Sequence, residues 1–159
     1  MADYSFLSQY IVNDDNQSPT GTPLHKFYPV KKADLLKAEE RLDFLLPDEL
    51  TDFYNQIGYG SFYLGNDQFA FYRFLSPSQL SDIYLRTDYY EEDPDLDLYD
   101  DPDKLIFFEV MEGVYLTVDR ISKNNVTSVY YIKDKISNSL EEFIISFSEN
   151  PMILERYLE

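Results

Sequence analysis

Three features of the sequence predict an α+β fold, with helices packed on an antiparallel or mixed sheet of about five to six strands. Two amphipathic helical stretches joined by a proline elbow run from Leu35 to Ile57. Runs rich in Phe, Tyr and Val, some strictly alternating, lie between Ser61 and Lys133. The last three of these runs are joined by short links, and parallel strands would need long crossovers, so they read as an antiparallel meander.

The elements follow in order. Residues 1–12 place Phe6, Leu7, Tyr10 and Ile11 on one side of a short helix, with Asp3 or Ser5 as its cap. Asn13 to Pro23 is turn-rich, with Pro19, Gly21 and Pro23. His25, the only histidine, follows and has no nucleophile partnered with it, so a structural role is expected. Leu35, Ala38 and Leu42 recur at helical spacing and form the inner face of the first long helix. Pro47 suits the first position of the second, with Asp48 and Glu49 at the positive end of its dipole. Leu50, Phe53, Tyr54 and Ile57 form its buried stripe, and Gly58 and Gly60 stop it.

Ser61–Leu64 and Phe69–Leu75 read as strands around a Gly65–Gln68 turn. Ser76-Pro77-Ser78-Gln79 is a capping box and opens a third helix with Leu80, Ile83 and Tyr84 inward. Ile106–Val110, Val114–Asp119 and Val126–Lys133 are the strands of the meander, and Glu112-Gly113 supplies a turn. Val114, Leu116 and Val118 alternate with Tyr115, Thr117 and Asp119, the period of a half-buried strand. Asn138 or Ser139 caps a helix carrying Phe143, Ile144 and Phe147, and Pro151 separates it from a short terminal helix. No repeat or linker interrupts the chain, so residues 1–159 are expected to form one domain: a leading helix and loop to 30, a core over 31–148 and a helical tail from 149.

Composition narrows the function. Apolar residues make up 44% of the chain, enough for a packed core, and no apolar run approaches the ~20 residues of a membrane span. Cysteine is absent, and no secretory leader is legible, which together predict a cytoplasmic protein without disulfides. Thirty acids against thirteen bases give a formal charge of −17, which repels phosphate backbones and anionic membranes and attracts basic partners. No glycine-rich phosphate loop, cysteine nucleophile or histidine pair is present, so neither catalytic residues nor a cofactor are expected.

The sharpest composition shift is Thr87–Asp103, TDYYEEDPDLDLYDDPD, with nine acids and no base. Such a run is commonly a solvated loop. Here it interleaves Tyr89, Tyr90 and Tyr99 with Glu91, Glu92, Asp93, Asp95, Asp97, Asp100, Asp101 and Asp103, and tyrosine is favoured at contact surfaces. A calcium-loop reading of Asp93-x-Asp95-x-Asp97 fails, because Leu98 replaces the required glycine and Lys104 the bidentate glutamate. No metal is expected.

The order Leu35, Glu39, Leu42, Phe44, Leu46-Pro47-Asp48-Glu49-Leu50, Phe53-Tyr54 resembles the signature of the SUKH superfamily, which includes the yeast cell-wall-assembly regulator and many bacterial immunity proteins. Gly58-Tyr59-Gly60, Phe74-Leu75-Ser76-Pro77, Tyr89-Tyr90 with the acidic loop, and Phe107–Tyr115 are similar to a bacterial branch. The resemblance covers about residues 30–148 and leaves the first 30 unmatched. It implies a non-enzymatic immunity protein that neutralises a cognate toxin domain, and many such toxins are basic nucleases. The acidic, tyrosine-bearing segment would cover the toxin, with Tyr59, Tyr63 and Tyr115 as neighbouring contact residues. A monomer or homodimer is compatible with it, with no direct contact to nucleic acid or membrane. The alternative it implies is an intracellular protein-interaction scaffold, like the eukaryotic regulator.

Overall fold

The computed structural model describes residues 1–12, 25–63, 70–87 and 90–158. Its centre is a seven-stranded antiparallel sheet in sequence order: β1 (Lys26–Tyr28), β2 (Tyr59–Ser61), β3 (Ala70–Phe74), β4 (Lys104–Met111), β5 (Val114–Asp119), β6 (Val129–Tyr131) and β7 (Asp134–Ser137). The helices are α1 (Lys32–Leu42), α2 (Asp48–Gln56), α3 (Pro77–Leu85), α4 (Leu140–Glu149) and the short α5 (Glu155–Leu158). 3₁₀ turns cover Ser5–Tyr10, Pro94–Tyr99 and Pro151–Leu154.

The α+β class is as expected, with more strands than expected. The run Val126–Lys133 is not one strand: it holds β6 and then turns at Ile132 and Lys133 into β7. Three-residue β1 lies before the helices, where no alternation can show in so short a segment. The Gly65–Gln68 turn lies outside the described residues.

Two glycines explain how β1 joins the sheet. Phe27 pairs with Gly60, whose φ is 152°, and a Cβ there would stand 2.1 Å from the Lys26 carbonyl oxygen. At Gly58, φ 120°, a Cβ would stand 1.9 Å from the Tyr28 carbonyl. These residues follow α2, and they also make room for β1 to pass over the chain.

The main core lies between the sheet, α2 and α4. Phe53 stacks on Phe74 at 3.9 Å, and Phe143 stacks on Phe147 at 5.5 Å, while Phe62 and Phe108 meet Phe147 edge-on. The β4–β5 register shifts between Ile106 and Phe108, and both Phe107 and Phe108 belong to the main core while Ile106 belongs to a second one. The leading residues are part of the main core as well. Tyr4 is fully buried, packs edge-on to Phe53 at 5.0 Å and donates its hydroxyl to the Glu49 carbonyl at 2.9 Å.

Local helix chemistry largely follows the sequence. Ser76 and Gln79 form the reciprocal capping box on α3, and the Ser139 hydroxyl accepts from Glu142 N at the start of α4. Pro47 stands one position earlier than expected, as the residue before α2, with its carbonyl accepting from Leu50 and Thr51. The Ser5–Tyr10 turn is preceded by Tyr4 rather than capped by Asp3 or Ser5, although Asp3 accepts from Ser5 N.

Candidate partner-binding site

The acidic segment is built onto the face of the sheet opposite α4. On β5, Leu116 and Val118 point into the main core, whereas Tyr115 belongs to a second cluster with Leu75, Ile83, Ile106, Leu96 and Tyr99. The strand is therefore buried on both faces at its centre, which corrects the half-buried reading. Its second cover is the segment itself. Apolar Leu96 and Tyr99 alternate among the acids because they face this small core.

Several bonds tie the segment down. Arg86, which ends α3 at φ 53°, donates to the Asp93 carbonyl at 3.1 Å and to the Asp97 carboxylate at 3.3 Å. The Asp93 carboxylate accepts from Asp95 N at 3.0 Å and so starts the 3₁₀ turn over Pro94–Tyr99. The Tyr99 hydroxyl accepts from Tyr115 N at 3.0 Å, and the two rings meet edge-on at 5.5 Å. Burial is the main influence raising both phenols above the ordinary tyrosine value. Further along, Tyr84 donates to the Pro102 carbonyl at 2.9 Å and Arg120 N to the Asp103 carbonyl at 2.8 Å.

A cleft of about 390 Å³ opens between the segment, α3 and the β4–β5 turn. From the segment it takes Tyr90, Glu92, Asp93 and Asp95, from the strands Arg73, Glu109 and Tyr115, and from the β4–β5 turn Glu112. Glu109 pairs with Arg73 at 3.6 Å, yet burial raises its carboxyl above the usual range, with the guanidinium pulling the other way. Asp95 lies against Gly113, where a Cβ would stand 2.9 Å from its carboxylate oxygen.

The expected contact residues do not all converge. Glu91, Asp97, Asp100, Asp101 and Asp103 are exposed but do not line this cleft, and Asp100 and Asp101 border a recess of about 250 Å³ with Arg86 and Lys104. Tyr99 and Tyr115 are only 8% and 5% exposed, so they hold the segment in place more than they present surface. Tyr59 packs on Tyr28 at 5.6 Å and lines a different pocket, beside α1. Exposed Tyr63 donates its N–H to His25 Nδ1 at 2.8 Å. Tyr89 lies outside the described residues. Asp93, Asp95 and Asp97 turn to different partners, and no group of three or more potential ligands among the described residues is placed to hold a metal ion.

Sequence reasoning missed Glu109, Glu112 and Arg73. The available signal was Glu109 itself, a carboxylate inside the apolar run Leu105–Met111, where a strand covered on both faces has no ordinary place for charge.

The model of the SMI1/KNR4 family, SUKH-1, matches residues 29–146, most of the chain. The chain belongs to this family. A relative from Bacillus subtilis (strain 168), "Immunity protein YxxD", is 36% identical over 126 residues, covering 78% of this chain and 84% of its own. No solved structure matches significantly. The two signature glutamates of this SUKH-1 chain have structural employment. Glu39 accepts from Leu46 N at 2.8 Å and closes the elbow, and Glu49 anchors α4.

Proposed function

We propose that this SUKH-1 chain is a bacterial immunity protein that acts in the cytoplasm without enzymatic activity, binding and neutralising a cognate toxin domain. The toxin surface it fits is basic, as in a nuclease, and the acidic cleft beside the Tyr90–Asp103 segment receives it. One observation carries the reading: carboxylates from two stretches of the chain, the acidic segment and the end of β4 with the β4–β5 turn, line a single cleft, and Arg73 is the only cation among its described residues. The relative's name supports the class of function, and the charge of −17 supports fast capture of a basic partner.

The test uses a cognate toxin domain, sought among the products of the genes beside this one. Neutralising Glu92, Asp95 and Glu112 together (E92Q/D95N/E112Q) should slow association by roughly tenfold at low salt, and the difference should shrink as salt rises. An unchanged association rate in a folded triple variant would rule out the cleft as the docking site.

A further inference from the structure

Helix α3 has a second concave neighbour. Gln79 and Ile83 line the acidic cleft, whereas Ser76, Ser78 and Ser81 close a pocket of about 450 Å³ against α1. The sign of charge reverses across the helix. Lys31, Lys37 and Arg41 reach this pocket, and Asp34 is its only carboxylate among the described residues. Arg41 is already committed to Asp82 at 2.7 Å and to Ser81 Oγ at 2.9 Å. Lys31 and Lys37 are exposed and make no ion pair among the described residues.

Two unpaired ammonium groups at a concave site are unexpected in a chain with thirty acids and thirteen bases. They are not scattered either, since Lys26, Lys31, Lys32, Lys37 and Arg41 place five of those bases within sixteen residues. Packing does not require them, because the buried side chains of α1 are Leu35, Ala38 and Leu42. A helix is about 10 Å across, close to a Debye length at physiological salt, so a docked surface feels the two pockets as separate charges. An interface of ordinary size, about 800 Å² per partner, is wide enough to cover both.

We propose that the Lys31/Lys37 pocket seats a carboxylate-bearing segment of the same partner whose basic surface fills the acidic cleft. This rests on the reading of that cleft as the toxin-binding site. The partner's face is then dipolar, and α3 is straddled by two contacts of opposite sign. A basic surface facing an acidic one is attracted in many orientations. A reversed spot at one helix diameter penalises the wrong ones by like-charge contact, and so sets the register.

The prediction differs in sign from simple steering. Lys31→Glu with Lys37→Glu removes two positive charges and adds two negative ones, and if the partner were merely basic, association would speed up and affinity would hold or improve. With the pocket occupied as proposed, the K31E/K37E variant loses about tenfold or more in affinity for the cognate toxin domain, chiefly through faster dissociation, and K31Q/K37Q loses less. Both positions are exposed and Lys31 stands just before α1, where glutamate suits the helix dipole, so an unchanged thermal melt is expected. Wild-type or tighter binding by K31E/K37E overturns the proposal and leaves the cleft reading intact, which E92Q/D95N/E112Q tests separately. Sedimentation of the chain alone showing a dimer that K31E/K37E abolishes would also overturn it, because the pocket would then belong to a second copy.

Discussion

The Ser139 hydroxyl donates to a Glu49 carboxylate oxygen at 2.7 Å, joining α2 to the start of α4 across ninety residues of sequence. The same oxygen accepts from Glu141 N at 2.8 Å, and the other accepts from Thr127 N in the loop before β6. Glu49 is 5% exposed, so this carboxylate is desolvated and held by donors instead of water. Its position beside the first turn of α4 also sets its charge against the positive end of that dipole.

Glu49→Ala should therefore be among the most damaging single substitutions in the chain. Hydrogen bonds to a charged group contribute about 1.5–3 kcal/mol each, and the variant leaves three donors facing a cavity. A loss of at least about 3 kcal/mol in urea unfolding is expected. Glu49→Gln should recover only part of it, since its amide meets donors with donors. Wild-type stability in either variant would show that the three bonds carry little net energy.

Tyr99→Phe tests how the acidic segment is held. The hydroxyl is lost while the ring stays in the second core, and Tyr115 N–H is left buried without its acceptor. A cost of about 1–3 kcal/mol is expected. Hydrogen exchange should accelerate over 94–99 and at Tyr115 N–H while α2 and α4 stay protected. Uniform acceleration through the sheet would instead mean that the segment and the main core unfold as one unit.

Gly60→Ala should break the β1–β2 pairing. An added methyl must displace the Lys26 carbonyl 2.1 Å away, and alanine tolerates φ 152° poorly. The combined strain should exceed ~2 kcal/mol and appear as loss of protection at Lys26–Tyr28. A silent Gly60→Ala would require β1 to be dispensable.

His25 sets one pH dependence. Burial lowers its pKa from the usual imidazole value of about 6.5, and its Nδ1 must stay unprotonated to accept from Tyr63 N. Its ring also sits edge-on to Tyr10 at 4.8 Å and Phe62 at 5.3 Å. A depressed folded-state pKa means the unfolded chain binds the proton more tightly. Stability from this residue is thus complete above about pH 6.5 and declines as pH falls through the imidazole range. As the only histidine, His25 can be followed directly by NMR, and His25→Gln should flatten the melting temperature between about pH 7 and 5. An imidazole titrating at or above 6.5 would contradict the burial argument.

The helices were largely legible before the structure because their signals are local. The capping box at Ser76–Gln79, the stripes of Leu35, Ala38, Leu42 and of Leu50, Phe53, Tyr54, and the cap at Ser139 each act within a turn or two. The meander was legible too, except that the run Val126–Lys133 holds only the short β6 and then turns into β7. Tyr99 and Tyr115 were read as contact residues on chemistry alone, and their interlocked burial follows from a pairing sixteen residues apart.

The sequence by itself therefore determined α1 to α4, the caps of α3 and α4, the antiparallel order of the later strands and the acidity of one segment, because propensity, capping and alternation act between near neighbours. The tertiary structure decided which carboxylates share a cleft, that Glu49 anchors α4, that Gly58 and Gly60 admit β1, and that Lys31 and Lys37 face a pocket across α3 from the acids. Those relationships join residues tens of positions apart, and they exist only once burial of the aromatic core has brought the distant segments together.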